Sequence, residues 1–159
     1  MKQVLVPITC YKCGWSGYHL SQMVIIPELE PDLRKALLNQ DYFKAHCMNC
    51  GTLISFKHEC IYQDKPHGFV LWMNKNSDAI HHYEDHIKVR YVHDDREIKE
   101  KIKIFEDGLD DKIINQMKKQ LQTKGYDELY YHDKQDDLLW FEYHQQYIAI
   151  PMKYYKSHK

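Results

Sequence analysis

The sequence has little of what marks several large protein classes. Glycine (6) and proline (5) are scarce among its 159 residues, and neither internal repeats nor low-complexity stretches occur, which excludes a repeat array and a disordered chain. An excess of charge is missing too: 22 Lys and Arg stand against 23 Asp and Glu, a formal net charge of −1. The balance is local as well, with six cations against five anions over residues 1–60, eight against eleven over 61–110 and eight against seven over 111–159. Nucleic-acid binding draws much of its affinity from phosphate neutralisation and counterion release, so this balance disfavours that role. No apolar run approaches bilayer-spanning length, and residues 1–7 hold too short an apolar stretch, with no cleavage site, for a secretory signal. A cytoplasmic protein with no membrane partner is expected. G-x-S-x-G, P-loop and dinucleotide-binding fingerprints are also absent.

What is present starts with two short motifs, Cys10-Tyr11-Lys12-Cys13-Gly14 and Cys47-Met48-Asn49-Cys50-Gly51. Each is C-x-x-C-G, and Cys10, Cys13, Cys47 and Cys50 together supply the tetrahedral shell of a structural Zn²⁺. The spacing points both sulfurs of a knuckle at one metal, and the glycine takes the tight turn that aims backbone N–H groups at sulfur. Five cysteines make four ligands and one free thiol, Cys60, rather than a disulfide framework. A thioredoxin-like pair needs a helix N-terminus, whereas glycine and strand-like residues follow both pairs here. Rubredoxin-type iron uses similar knuckles and is the alternative metal; zinc is expected because nothing else suggests electron transfer. A catalytic zinc keeps a position open, and four cysteines leave none.

Hydrophobic residues (43 %) and aromatic residues (13 %) suffice for a core. A strand-like start leads into the first knuckle, and Tyr18, Leu20, Val24, Ile25 and Ile26 predict a strand after it. Pro31, Asp32, Leu33, Leu37 and Leu38 predict a short helix ending near Asn39. Thr52 to about Tyr62 and Phe69 to Met73 predict strands around a turn at residues 64–68, and residues 74–85 mark the boundary. Beyond it, His86 to Val92 predicts a strand. Asp94 and Glu97 form a capping-box start for a helix with Ile98, Ile102, Phe105 and Leu109 on one face. A second helix carries Ile113, Ile114, Met117 and Leu121 inward and stops by Gly125, and strands follow at 128–131, 138–143 and 147–152.

These residues carry a resemblance. The two knuckles, Pro31-Asp32-Leu33, Leu37-Leu38, Tyr62, Asp64, Phe69 to Trp72, and the stretches 100–105 and 108–111 are similar to those of bacterial CpXC-domain proteins, over roughly residues 5–120. The family's two naming prolines are replaced by Tyr11 and Met48, and the histidine of its Tyr-His-Asp segment is Gln63. Losing a proline frees φ without removing a ligand, so metal binding should survive. The resemblance implies a zinc-binding module and no defined activity.

Other residues invite weaker readings. His81, His82 and His86 lie in a polar, turn-like stretch and are expected to be exposed titrating groups. His46 is a neighbour of the metal site. Asp94-Asp95 and Asp110-Asp111 sit at helix starts, where carboxylates complement the dipole. Tyr130, Tyr131, Trp140, Phe141, Tyr143, Tyr147, Tyr154 and Tyr155 exceed what one face of a small hairpin buries, which suggests a protein-binding surface.

The expected fold is therefore α+β: a zinc-ribbon-like four-cysteine lobe with an inserted short helix (residues 1–75), joined to antiparallel strands and two helices. Residues 76–159 would supply a strand, two helices and a β-hairpin packed on the first part as one unit. The expected function is non-enzymatic, a zinc-binding protein-interaction module that neutralises or regulates a partner protein in the manner of immunity or adaptor proteins. The alternative is a zinc-ribbon nucleic-acid binder.

Overall fold

Val4, Val6 and Ile8 share one side of strand β1 (Gln3–Thr9), and period-two alternation turns that side inward. β1 pairs antiparallel with β2 (Ser16–Gln22) across the first knuckle. Strand β3 is short (Val24–Ile25), and helix α1 (Pro31–Leu38) opens on Pro31, whose fixed φ suits a first helical position. The second knuckle joins β4 (Lys44–His46) antiparallel to β5 (Leu53–Ser55). Val6, Ile8 and Ile54 pack with Cys10 and Cys47 into a small core flanked by Trp15, Ala45 and Phe56. A Cβ at position 17 would lie 2.5 Å from the Trp15 ring, so any residue larger than glycine there must displace that ring. The structure is a computed structural model and describes residues 2–159.

Strands β6 (Cys60–Asp64), β7 (Phe69–Met73) and β8 (Lys88–Val92) complete a four-stranded sheet in the order β3-β6-β7-β8. All five residues of β7 are buried, so it reads as an unbroken apolar run rather than as an alternation. Val70 and Trp72 pack with Ile61 and Ile87 on one of its faces. The Trp72 indole N–H donates to Glu59 at 2.8 Å, and Ser77 donates to the same carboxylate, which ties down the polar stretch after β7.

The chain divides into two compact units, Met1–Ile98 and Lys99–Lys159. The first runs past residue 75 because β8 pairs with β7, and helix α2 (Asp95–Glu106) spans the division. The second unit adds α3 (Asp111–Gln122), a three-stranded antiparallel sheet ordered β11-β10-β9 and a terminal helix α4 (Met152–Ser157). Its strands are β9 (Tyr130–Gln135), β10 (Leu138–Tyr143) and β11 (Gln146–Pro151). Asp94 accepts from the Arg96 and Glu97 amides, and Asp110 from the Lys112 amide, so both long helices are capped by aspartate. Ile102, Ile104, Ile114, Met117, Tyr131, Leu139 and Phe141 are buried there.

The unit's interior is also polar. Glu100 accepts from Lys118 Nζ at 2.9 Å and from the Tyr131 amide at 2.6 Å, and Lys101 Nζ meets Asp111 Oδ2 at 2.6 Å. Tyr131 donates to Asp107 at 2.6 Å; burial, then that carboxylate, pushes its phenol pKa up.

The fold is α+β, with four helices among the described residues. Three expectations change. The sheets are not uniformly antiparallel: β3 with β6 and β7 with β8 run parallel. The strand expected from Thr52 to Tyr62 is two strands, β5 and β6, because the intervening chain turns His58 inward to Ser21, 2.8 Å away. Two helices were expected beyond residue 75, and α4 makes a third.

Candidate metal centre

The two knuckles are built alike. Cys10 N–H donates to Trp15 O (2.7 Å) and Gly14 N–H to Cys10 O (3.0 Å); Cys47 N–H donates to Thr52 O (2.8 Å) and Gly51 N–H to Cys47 O (2.9 Å). Gly14 (φ 78°) and Gly51 (φ 76°) hold the left-handed conformation that closes each turn and that a Cβ would strain. In each knuckle the first cysteine is buried in the small core and the second is exposed, so the hairpins present all four sulfurs at their common end.

The sulfur atoms lie within 4.8 Å of one another. Cys10 Sγ is 3.7 Å from Cys50 Sγ and Cys13 Sγ is 3.6 Å from Cys47 Sγ. A disulfide would need about 2.05 Å. Four sulfurs around one ion at about 2.3 Å would sit about 3.8 Å apart, the edge of the tetrahedron, so the donor set fits a thiolate-bound metal. The close contacts cross between knuckles, so both hairpins must be folded and docked before the site exists.

Hydrogen bonds prepare the sulfurs for negative charge. Cys47 Sγ accepts from the amides of Asn49 (3.4 Å) and Cys50 (3.5 Å), and Cys10 Sγ from the amide of Cys13 (3.5 Å). The Asn49 side-chain amide donates to Cys13 Sγ and is the main cause that lowers the Cys13 thiol pKa. Thr52 Oγ1 lies 3.1 Å from Cys50 Sγ, and this bond leads the causes that bring the Cys50 pKa down to about 6. Burial pushes Cys47 the other way. Two exposed sulfurs are thus disposed to ionise, which favours metal capture and disfavours a neutral dithiol pair. Outside the shell, His46 Nδ1–H donates to Gly51 O at 3.1 Å and fastens the second turn. Its adjacency to Cys47 in sequence was the only sign of that role.

The remaining candidates do not join the site. His81 packs on Trp72, and His86 makes an exposed contact with Glu84 at 3.5 Å. Among the described residues the four cysteines are the one group of His, Cys, Asp or Glu arranged to hold a metal. Cys60 is buried, and burial pushes its thiol pKa up. Asp64 is buried and pairs with His67 at 2.8 Å rather than with its sequence neighbour Gln63. Tyr11 and Met48, which replace the family prolines, are 79 % and 82 % exposed at the knuckle tips.

Of the C-terminal aromatics, Tyr131, Phe141 and Tyr155 are buried, while Tyr147 and Tyr154 are exposed. A second exposed apolar group was missed. Leu5 lies opposite Leu20, and Pro7 opposite Tyr18, on the outward face of the β1-β2 hairpin. Apolar residues at both phases of the alternation in β1 were its sequence signal, since a strand packed on one face must expose the other set.

No helix of the described residues is long and apolar enough to cross a membrane. Neither the curated proteins nor the solved structures include a significant match to the chain. The family described as CpXC protein matches residues 8–118, a span that takes in both knuckles, α1 and the four-stranded sheet, and the chain belongs to that family.

Proposed function

We propose that the protein is a non-enzymatic zinc module that presents a surface to a partner protein, which it neutralises or regulates as immunity and adaptor proteins do. The observation that carries this reading is the closed set of four cysteine sulfurs. Filled from the protein alone, a tetrahedral shell has no position for substrate or activated water, so its use is structural. Soft thiolates in tetrahedral array suit zinc or iron, and no other feature of the chain calls for a redox metal. In zinc form the lobe is a ribbon of two hairpins with α1 inserted between them. The uncharged outward face with Leu5, Pro7, Tyr18 and Leu20 is the surface we assign to the partner. It offers apolar and aromatic area built from uncharged strand residues, as protein interfaces do and phosphate-binding surfaces do not.

The test has two arms. Metal analysis of protein purified without added metal should give about one zinc per chain, and cobalt substitution should give the spectrum of a tetrahedral thiolate site. A partner captured by the wild type should be lost with Tyr18→Asp/Leu20→Asp while zinc content is kept. Metal-free, well-folded protein, or tight binding to DNA or RNA that falls steeply with salt, would overturn the reading.

A further inference from the structure

The three-stranded sheet of the second unit has two edges, and they are built differently. The β9 edge carries Asp133 and Lys134, and its register against β10 shifts between Trp140 and Phe141. Charge and a bulge are the usual devices that keep an edge from pairing. The β11 edge has neither: Gln146-Tyr147-Ile148-Ala149-Ile150-Pro151 contains no charged residue and pairs with β10 without a shift.

The backbone groups on that edge can be identified from the ladder. His144 and Gln145, both at positive φ, form a two-residue turn, so Tyr143 and Gln146 are a hydrogen-bonded pair. Met152 N–H donates to Asp137 O, which gives the same phase from the other end. Antiparallel pairs alternate, so the amides of Ile148 and Ile150 serve β10, while those of Tyr147 and Ala149 point away from the sheet. Pro151 is next in that outward series and has no N–H. Beside Ala149, Ile150 and Pro151 the flank is a groove of about 240 Å³ lined by Leu121 of α3, by Lys124 just beyond it, and by Tyr154 and His158 at the chain's end.

We propose that β11 is a self-pairing edge: two copies of the chain join antiparallel about a two-fold axis at Ile148, forming a continuous six-stranded sheet from two sheets of three. Tyr147 and Ala149 lie symmetrically about Ile148. Tyr147 of one copy therefore meets Ala149 of the other, the two exchange N–H···O bonds, and the reverse pair does the same. The strand that presents outward donors only at these two residues is complementary to itself in this register. Pro151 would face residue 145, which is already in the turn, so its missing donor falls outside the pairing. An uncharged strand meets its own copy without repulsion, which the Asp133-Lys134 edge would not do in every register. This inference is independent of the metal site, because β11 lies in the other unit.

The test is the mass of the full zinc-loaded chain by light scattering and sedimentation over a wide concentration range, beside Ala149→Pro. Proline is tolerated on an edge strand where the N–H faces away from the ladder, so the variant should keep its circular dichroism and lose the joint. The wild type should reach twice the 19.3 kDa of the chain, with the dimer weakened at least tenfold by Ala149→Pro. Should the variant misfold, Tyr147→Lys at the same edge serves in its place. A wild type that stays monomeric at every concentration, or a dimer unaffected by a folded edge variant, would overturn the proposal.

Discussion

Removing the metal should unfold the knuckle lobe and leave the second unit intact. The small core between the hairpins holds only three buried aliphatic side chains, Val6, Ile8 and Ile54, beside the two buried cysteines. At about 1.5–3 kcal/mol each, those three contribute about 5–9 kcal/mol. A structural zinc contributes about 10–16 kcal/mol at neutral pH in the smallest zinc domains, more than that core supplies. The shortest sulfur contacts cross between hairpins, so an ion held there would also dock them. The second unit buries Ile104, Ile114, Leu139 and Phe141 and holds none of the four sulfurs. Hydrogen exchange followed by mass spectrometry, before and after chelation, separates the two. Protection should fall to unfolded levels across β1, β2, β4 and β5 and persist in α3 and β10. Cys13→Ser and Cys47→Ser should reproduce the chelated pattern. Full protection of the hairpins in protein shown to be metal-free would refute the reasoning.

Two further outcomes rest on the polar interior. Lys101 and Asp111, 8 % and 2 % exposed, meet at 2.6 Å. Lys101→Met should cost about 3–5 kcal/mol because the buried Asp111 carboxylate loses this ion pair, and Lys101→Met/Asp111→Leu should recover part of that, both read from urea denaturation. His58 is a pH-sensitive group: its Nδ1–H donates to Glu59 O, its Nε2 accepts a hydrogen bond from the Ser21 hydroxyl, and burial holds its pKa below the usual 6.5. Between the folded and unfolded values the unfolded chain binds more protons. Its contribution to stability is therefore full above about pH 6.5 and is lost as pH falls through the folded pKa. The urea midpoint of the wild type should fall more steeply below about pH 6.5 than that of His58→Gln, and equal slopes would refute the assignment.

Local chemistry made much of the chain legible. Pro31 and Asp32 placed the start of α1, Asp94 and Asp110 the starts of α2 and α3, and the turn at Gly68 and the helix stop at Gly125 fell at positive-φ glycines. Each signal involves residues within a few positions of one another. The break between β5 and β6 was not visible, because it depends on His58 reaching Ser21 across 37 positions. Parallel pairing of β7 with β8 was hidden for a like reason: an apolar run records burial on both faces and carries no sign of a neighbour's direction. The C-terminal aromatics showed the same limit, since their composition does not reveal that Tyr131, Phe141 and Tyr155 are buried while Tyr147 and Tyr154 are exposed.

Spacing alone picked out the four cysteines that the fold brings together. C-x-x-C-G is a local geometry, and its glycine, amide-to-sulfur bonds and buried first cysteine follow from residues 10–14 and 47–51 themselves. Tertiary structure decided the rest: that Cys13 faces Cys47 and Cys10 faces Cys50, that an outward hairpin face keeps its leucines exposed, and that β9 has a blunted edge and β11 an open one. These are relations between segments distant in sequence. They depend on which surfaces are covered after packing, and no short-range pattern records that.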